Sequence, residues 1–487
     1  MNEIEQGPAA ATSAPPWARR AAVWCEENLW LFVLVIGAFA IRLHWNLEVH
    51  PLGDYIYSDM RGYARRADGM FKNLWGVREY DAFYPYGTHV LLYGLEWLGG
   101  RTAETKPADM APVYRFVGIV YAAFGAALVG YGYALARRVS KFRIVPAIVG
   151  VVLVGYYPLI SLGGYILSEV PFSLCLTAAT FHLMRMLDHG RRRDAWAMGL
   201  WVALGATLRP QILLSVAFIG VFWLVMRTRM PKARVLLWAQ ALVPILLMLG
   251  FSSWRLHYHT GRTGLISENG KFNQVYGRCH NSKITAHPDT PKRRRTSFGP
   301  PPLIQLAKRA ERAPGQWPQL EPASKRHFEY RGYIGDDEIL QGFIDECVAN
   351  STWTQQLEYS AVNVAMQWRY NIMWPDSGKS AWQNLSRQWG LFITNVLAVP
   401  ALIALIAVFL PRRFLKLGLL SLHLWALTMI GIFYIGGMRF RCPYDPIIIV
   451  MAAEAYAVAV AFLVTWGRRL LGRNTPETSS PAPGSQT

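Results

Sequence analysis

The chain has 487 residues, of which 52% are hydrophobic, and carries a formal net charge of +19. Apolar content of this size does not separate soluble from membrane proteins. Its arrangement does, because charge-free stretches such as 117–136 and 391–410 are rare in water-soluble helices. The basic residues stand in short clusters at the ends of these stretches, which argues against a nucleic-acid-binding surface. The sequence predicts an all-α multi-pass membrane protein.

About ten transmembrane helices are expected along the chain. They are predicted at residues 28–45, 113–136, 144–160, 169–187, 195–208, 212–226, 235–254, 391–410, 417–435 and 447–466. Basic clusters follow every second segment, at 137–143, 191–193, 227–234, 412–416 and 468–473. Short basic loops mark the cytoplasmic side of a membrane. Both termini are therefore expected in the cytoplasm, and the intervening polar loops outside it.

Polar stretches between these segments divide the chain into expected domains. These are a cytoplasmic leader (1–27), an N-terminal transmembrane module (28–254) with a first outside loop at 46–112, a large extracytoplasmic loop domain (255–388), C-terminal transmembrane helices (389–467) and a disordered cytoplasmic tail (468–487). In the first loop, residues 84–98 predict an amphipathic helix at the membrane surface. Apolar spacing predicts helix within 336–373, whereas the earlier half of the large loop is expected to be partly irregular.

Two of the five cysteines, Cys279 and Cys347, fall in the predicted large loop. Disulfides form in extracytoplasmic compartments. Pairing cannot be deduced from sequence, so either a bridge or two free thiols remains open. The basic run at 292–295 is interpreted as a solvated surface.

The unusual polar residues collect on the outer face once the topology is assigned. Ionisable groups at membrane depth are costly and are kept mainly for function or pairing. A carboxylate can deprotonate an attacking hydroxyl, and arginines can hold a phosphate group through paired hydrogen bonds. The acidic, basic and tyrosine candidates are Asp54, Tyr57, Asp59, Tyr63, Tyr84, Tyr86, Glu169, Arg209, Arg439 and Arg441.

Short motifs in a fixed order carry a family resemblance. They are Ser58-Asp59-x-x-x-Tyr63, Tyr84-Pro85-Tyr86-Gly87, Ser168-Glu169-x-Pro171-Phe172, Thr207-Leu208-Arg209-Pro210, Asn269-Gly270-x-Phe272-Asn273 and Arg439-x-Arg441-x-Pro443. Their order, sidedness and spacing resemble the GT-C superfamily of integral membrane glycosyltransferases, in particular its protein mannosyltransferase and aminoarabinose-transferase branch. The resemblance implies juxtamembrane helices in the first loop and a sugar donor carried on polyprenyl phosphate or pyrophosphate.

The resemblance also implies roles for single residues. Asp59 corresponds to the acid that acts as base on the acceptor hydroxyl. Glu169 corresponds to a second acid that positions the acceptor or, in some relatives, a divalent metal. Arg209, Arg439 and Arg441 correspond to residues that bind the donor phosphate. Possible substrate contacts are Asp54, Tyr57, Tyr63, Tyr84 and Tyr86. No cofactor is certain, and a divalent cation held by Asp59 and Glu169 is left open.

Several alternatives remain at the sequence level. Asp54 competes with Asp59 for the role of base, Glu169 can simply cap a helix, and Arg209 can be an interfacial anchor. The first loop has Ser-Asp-Met instead of the paired acids of protein mannosyltransferases, which leaves a protein acceptor open along with a glycan or lipid. A transporter or flippase, or a polysaccharide polymerase or ligase, is the alternative function.

The expected location follows from the resemblance and the charge distribution. A bacterial inner membrane with the active site facing the periplasm is expected, with the endoplasmic reticulum membrane as the alternative. The expected partners are the lipid bilayer, a polyprenyl-phosphate sugar and an unidentified acceptor, and no nucleic acid. The sugar, the acceptor and the oligomeric state are not specified by the sequence.

Overall fold

The computed structural model describes residues 16–232, 234–280, 282–290, 326–368, 373–376 and 381–470, with side chains from residue 28 onward except at 326 and 470. The expectations for the start of the leader, for the basic run at 292–295 and for the tail beyond residue 470 lie outside the described residues. The described part is an all-α multi-pass membrane protein that carries a single small two-stranded sheet.

The helices that match the ten predicted segments are α1 (Pro16–His44), α4 (Ala111–Val139), the pair α5 (Ile144–Val154) and α6 (Tyr157–Gly163), α7 (Glu169–His189), α8 (Arg192–Leu208), α9 (Ile212–Met226), α10 (Val235–Thr260), α14 (Gln383–Phe392) with α15 (Val399–Ala404), α16 (Pro411–Phe433) and α18 (Asp445–Leu470). Among the described residues, eight helical stretches are long and apolar enough to cross a membrane, or nine with α5 and α6, which meet at 44°. The remaining predicted segment, α8, is not among these stretches. It has 17 residues, and at 1.5 Å per residue it is about 25 Å long.

Helix α7 occupies the centre of the membrane-embedded bundle. In its most apolar stretch 78% of the residues are buried, compared with 22–61% in the other spans found. The outer helices instead expose large apolar side chains such as Leu246, Leu247 and Phe462. Lipid tails are as apolar as leucine, so such exposure is stable in a bilayer. The central position of α7 matters because Glu169 is its first residue.

The first outside loop folds into two helices, α2 (Ser58–Lys72) and α3 (Gly87–Leu98). The predicted amphipathic helix at 84–98 is thus confirmed, with its start at Gly87. A Cβ on Gly87 would stand 2.3 Å from the hydroxyl oxygen of Thr207, closer than real contacts allow. Glycine is required here because α3 must approach the end of α8, which brings the first loop beside Arg209.

The large loop contains α11 (Asn269–Arg278), the parallel strands β1 (Ser282–Ala286) and β2 (Arg326–Tyr330), α12 (Asp337–Ala349) and α13 (Trp353–Trp368). Helix within 336–373 is confirmed by α12 and α13. The earlier half forms α11 and β1, and the rest of it, at 291–325, lies outside the described residues, so the expected partial irregularity is not tested there. Cys279 and Cys347 are bonded to each other, with their Cα atoms 5.3 Å apart.

A short helix, α17 (Met438–Arg441), connects α16 to α18. The chain reaches it through Gly436, where a Cβ would lie 1.7 Å from the carbonyl oxygen of Asn363 on α13. Only glycine allows the two backbones to approach so closely. The large loop is thereby pressed against the segment that carries Arg439.

Candidate active site

A cavity of about 490 Å³ lies where the first loop, the start of α7, the end of α8, α11 and α17 meet. Its walls include Asp59, Tyr63, Tyr84, Ser168, Arg209, Gln211, Asn269, Phe272, Asn273, Tyr276, Met373, Trp374 and Arg439. Five of the sequence candidates line this cavity, namely Asp59, Tyr63, Tyr84, Arg209 and Arg439.

Two arginines converge on the carboxylate of Glu169, which is fully buried. Nη2 of Arg209 and Nε of Arg439 both donate to Oε1 of Glu169. Arg439 also donates from Nη1 to Oδ2 of Asp59 at 2.8 Å, and Arg209 donates from Nε to the hydroxyl of Ser168 at 2.9 Å. Two acids and two arginines thus form one connected cluster, whose formal charges cancel.

Local chain geometry places both acids. Glu169 lies in the first turn of α7, where the helix dipole favours a negative charge. Asp59 lies in the first turn of α2, directly after Ser58, whose φ of 47° is unusual for a residue other than glycine. This left-handed conformation turns the chain sharply into α2, and it directs Asp59 toward the cavity, where its carboxylate meets Arg439.

Each arginine keeps hydrogen-bonding capacity beyond the cluster. Among the described residues, no partner accepts a hydrogen bond from Nη1 of Arg209 or from Nη2 of Arg439. Both side chains line the cavity. A guanidinium group carries five N–H donors in a planar fork that matches phosphate oxygens. The remaining donors make the two arginines suited to an anionic ligand in the cavity.

Tyr63 and Tyr84 line the cavity next to Asp59. The hydroxyl of Tyr84 donates to Oδ1 of Asp59 at 3.4 Å. Burial raises the pKa of Tyr63 to about 12, and burial together with the charge of Asp59 raises the pKa of Tyr84. Both phenols therefore stay protonated at neutral pH and act as hydrogen-bond donors.

Three other sequence candidates lie outside the cavity lining. Asp54 is exposed in the first loop. Tyr57 donates its hydroxyl to the carbonyl of Pro375 at 3.3 Å. The Tyr86 hydroxyl accepts a hydrogen bond from Ser252 at 3.0 Å. Of these three, Tyr57 acts on the cavity indirectly, through the segment that contains Pro375.

Arg441 does not meet the expectation that it faces the donor phosphate. Only 1% of it is exposed, and it is absent from the cavity lining. It donates from Nε to Oδ1 of Asp445 and from Nη1 to the carbonyl of Gln367, both at 2.9 Å. The basic motif is split by helical geometry, because residues two apart on a helix face different directions. Arg439 faces the cavity and Arg441 ties α17 to α13 and α18.

Met373 and Trp374 line the cavity, although sequence patterns did not indicate them. The ring of Trp374 lies 4.3 Å from the guanidinium carbon of Arg439, a cation–π distance. Asp376, only 1% exposed, accepts hydrogen bonds from the hydroxyls of Tyr157, Ser161 and Tyr165 at 2.8 to 3.2 Å. The buried carboxylate holds Trp374 over the arginine. No local motif marks this anchor, because its partners lie more than 200 residues away in sequence.

The donor set does not fit a divalent cation in this arrangement. Asp59 and Glu169, the two acids expected to hold one, are both bound to Arg439. Its guanidinium supplies the positive charge between them, and a metal at the same position would require that arginine to leave. In the described part of the chain, no group of three or more His, Cys, Asp and Glu side chains has the arrangement of a metal site.

Comparison with known proteins finds similarity among solved structures. No protein-family model and no curated protein matches the chain. The chain is similar to the archaeal oligosaccharyltransferase AglB from Archaeoglobus fulgidus, solved with an inhibitory peptide and a dolichol-phosphate, at 13% identity and a TM-score of 0.49. It is also similar to ArnT from Cupriavidus metallidurans, at 15% identity and 0.36 with undecaprenyl phosphate bound, and at 14% and 0.35 in the apo state.

These alignments cover 92–94% of the chain and 82% of ArnT, whereas the chain spans about half the length of AglB (53%). Identities below 25% and TM-scores below 0.5 carry no argument about activity, donor or acceptor.

Proposed function

We propose that the protein is a glycosyltransferase that moves a sugar from a polyprenyl-phosphate donor to a hydroxyl group of an extracytoplasmic acceptor. One observation carries the proposal. Asp59 and the arginines Arg209 and Arg439 share a single cavity at the end of the transmembrane bundle. A base and an anion clamp at the membrane surface are what transfer from a lipid-linked phosphate requires.

In the proposed reaction Asp59 accepts the proton of the acceptor hydroxyl. The hydroxyl oxygen then forms a bond to the anomeric carbon, while the bond between that carbon and the donor phosphate oxygen breaks. Attack from the face opposite the leaving group inverts the anomeric carbon. The electron pair of the broken bond remains on the leaving phosphate, which gains one negative charge.

The two arginines are placed to stabilise that charge. Their remaining donors, Nη1 of Arg209 and Nη2 of Arg439, are proposed to bind the phosphate oxygens. Protonation of Asp59 removes the charge that attracts Nη1 of Arg439, and the same arginine is then able to bind the leaving phosphate more strongly. Gain of a proton at the base and stabilisation of the leaving group are coupled through one side chain.

Glu169 is assigned a positioning role in this proposal. It is fully buried and holds both arginines, so it fixes the clamp in place. Arg441 is assigned to the scaffold because its partners are Asp445 and Gln367. The cavity is proposed to face away from the cytoplasm, because the basic short loops lie at the opposite ends of the spans. A bacterial inner membrane is the proposed location.

The test uses purified protein in lipid nanodiscs with a panel of polyprenyl-phosphate sugars, and it measures release of polyprenyl phosphate. We expect wild-type protein to release it from at least one donor. Asp59→Asn should lower the rate by about 10²-fold or more, the usual contribution of a general base. Asp54→Asn is the matched control, because Asp54 is exposed outside the cavity, and should keep full activity.

The result that overturns the assignment is an Asp59→Asn variant with the wild-type rate. A wild type that moves lipid-linked sugar across the nanodisc or vesicle bilayer without cleaving it supports the transporter or flippase alternative instead. Formation of long glycan products from the same donors supports a polymerase.

A further inference from the structure

One face of α11 forms a wall of the cavity. Asn269, Phe272, Asn273 and Tyr276 all line it, and their spacing of three, four and seven residues places them on the same side of the helix. The face alternates carboxamides with aromatic rings. It bears no formal charge, whereas the arginines that line the cavity belong to other elements.

We propose that this face of α11 binds the neutral, hydroxyl-rich ring of a sugar and determines which sugar the cavity accepts. The proposal rests on the proposed function, and it extends that function from the phosphate to the group being transferred or to a glycan that receives it.

The side chains of this face match the surface of a sugar ring. A carboxamide both donates and accepts hydrogen bonds, as does each hydroxyl of a sugar. The side chain of Asn273 makes no hydrogen bond to any described residue, and the side chain of Asn269 uses only its oxygen, which accepts from Ser267 at 3.0 Å. Both amide groups therefore retain donors for a ligand. The aromatic rings supply apolar contact for the C–H face of a sugar.

Charge and position disfavour other ligands for this face. Helix α11 follows the predicted transmembrane helix α10 and belongs to the large loop, which is predicted to lie outside the membrane. A phosphate group would select the cationic wall of Arg209 and Arg439. The one lysine of α11, Lys271, lies off the cavity face and is 3.9 Å from Asp337. What the face offers is uncharged hydrogen bonding.

Contacts on several sides hold α11 in place. Selectivity between similar sugars requires such a rigid wall. Cys279, directly after α11, is bonded to Cys347 of α12. Arg278 donates to the hydroxyl of Ser360 on α13 at 3.0 Å. Phe272 packs edge-on against Phe83 of the first loop, with ring centroids 5.3 Å apart. A preorganised wall discriminates between hydroxyl positions at a lower entropic cost than a mobile one.

Tyr276 connects this wall to the proposed base. Burial, together with the nearby charge of Asp59, raises the pKa of the Tyr276 hydroxyl. The group stays protonated at neutral pH, and Tyr276 and Asp59 line the same cavity. A sugar held by α11 therefore lies next to Asp59, either as the ring that is transferred or as the terminal ring of a glycan acceptor.

The binding experiment does not depend on turnover. Methyl glycosides of glucose, mannose and galactose are titrated against nanodisc-bound protein by saturation-transfer NMR; mannose and galactose each differ from glucose at one hydroxyl. Asn273→Ala is expected to weaken the preferred glycoside by about 10-fold, the loss of one or two neutral hydrogen bonds. It should also reduce the preference among the three. The matched control is Gln274→Ala, which removes a carboxamide from the adjacent position, outside the cavity lining.

Kinetics with lipid-linked donors then separate the two sources of the sugar. A raised KM for the donor in Asn273→Ala and Tyr276→Phe identifies the transferred ring, and a raised KM for a glycan acceptor identifies the acceptor ring. Both results support the proposal. It is overturned if Asn273→Ala binds all three glycosides as wild type does, or if Gln274→Ala has the same effect. Selective binding in a wild type that cleaves no lipid-linked sugar refutes the proposed function and leaves this inference standing.

Discussion

Glu169 is the shared ion-pair partner of two arginines. Its carboxylate is the common acceptor of Arg209 and Arg439 and is fully buried. Asp59, by contrast, keeps 26% of its side chain exposed to the cavity. Buried charges are stable only when they are paired. The two acids, which look equivalent as loop motifs, therefore differ in what their loss should do.

Glu169→Gln is expected to lower both stability and activity. The substitution keeps the shape but leaves two arginines sharing only the charge of Asp59, and breaking a buried pair costs on the order of 3 kcal/mol. Thermal unfolding in detergent should show a lower Tm for Glu169→Gln than for Asp59→Asn. Equal Tm values for the two variants would contradict the positioning role of Glu169.

His280 makes the loop domain sensitive to acid. It is 5% exposed and stacks on Tyr359 with ring centroids 4.3 Å apart. Burial, assisted by the charge of Arg278, lowers the pKa of His280 from 6.5 to about 3. The unfolded chain therefore binds the proton first as pH falls. Above pH 6.5 the neutral His280 ring contributes fully to the stability of the folded state. Below pH 6.5 the free energy of unfolding falls by about 1.4 kcal/mol per pH unit.

The expected outcome is a Tm that falls more steeply between pH 7 and pH 5 in wild type than in His280→Phe, which keeps an aromatic ring against Tyr359 without a titrating group. Parallel Tm curves for the two proteins would show that His280 is already accessible to solvent protons in the folded state.

Helix α11 depends on covalent support as well as packing. The bond between Cys279 and Cys347 closes a stretch with a sequence separation of 68. In the chain-entropy description, closing a loop of that length removes about 4 kcal/mol of unfolded-state freedom. Part of the loop domain's stability is therefore expected to be sensitive to reduction.

The double substitution Cys279→Ser and Cys347→Ser should lower the Tm of the loop domain and make it easier to cleave by protease. The control is wild-type protein treated with a thiol reductant. Its Tm and its protease sensitivity should approach those of the variant. Unchanged protease resistance in both samples would mean that the α11–α12 packing holds the domain without the bond.

For the molecule as a whole, the distribution of basic clusters predicts which ends of the helices face the cytoplasm. The disulfide is consistent with the same orientation, since such bonds persist outside the cytoplasm. This orientation predicts that the cavity, α11 and α12 are extracytoplasmic and that the loop between α7 and α8 is cytoplasmic.

Single cysteines at exposed sites test this orientation in intact cells or spheroplasts. A membrane-impermeant thiol reagent should label Glu338→Cys on α12 and should not label Arg192→Cys at the start of α8. Among the described side chains, the free cysteines Cys175 and Cys442 are buried and serve as an internal blank, and Cys25 is replaced by serine in both variants. Labelling of Arg192→Cys before lysis would show that the orientation is the opposite of the predicted one.

Local sequence patterns were sufficient to predict most of the helices. Long apolar runs with basic ends predicted the spans, because hydrophobic length and flanking charge act within each segment. Apolar spacing also predicted α3, α12 and α13. The pattern was insufficient for β1 and β2, since a parallel pair needs a partner 44 residues away, as in Ser282 with Arg326.

The amino-acid sequence by itself determined the class of protein, its spans and most of the charged residues of the site, because each of these depends on chemistry within a short stretch. Only the tertiary structure decided how those residues divide their roles. It placed Arg439 in the cavity and Arg441 in the scaffold, joined Asp59 to Glu169 through one arginine, and brought Trp374 and the α11 face into the same cavity. Such contacts join segments hundreds of residues apart, so their energy is realised only when the whole chain is folded.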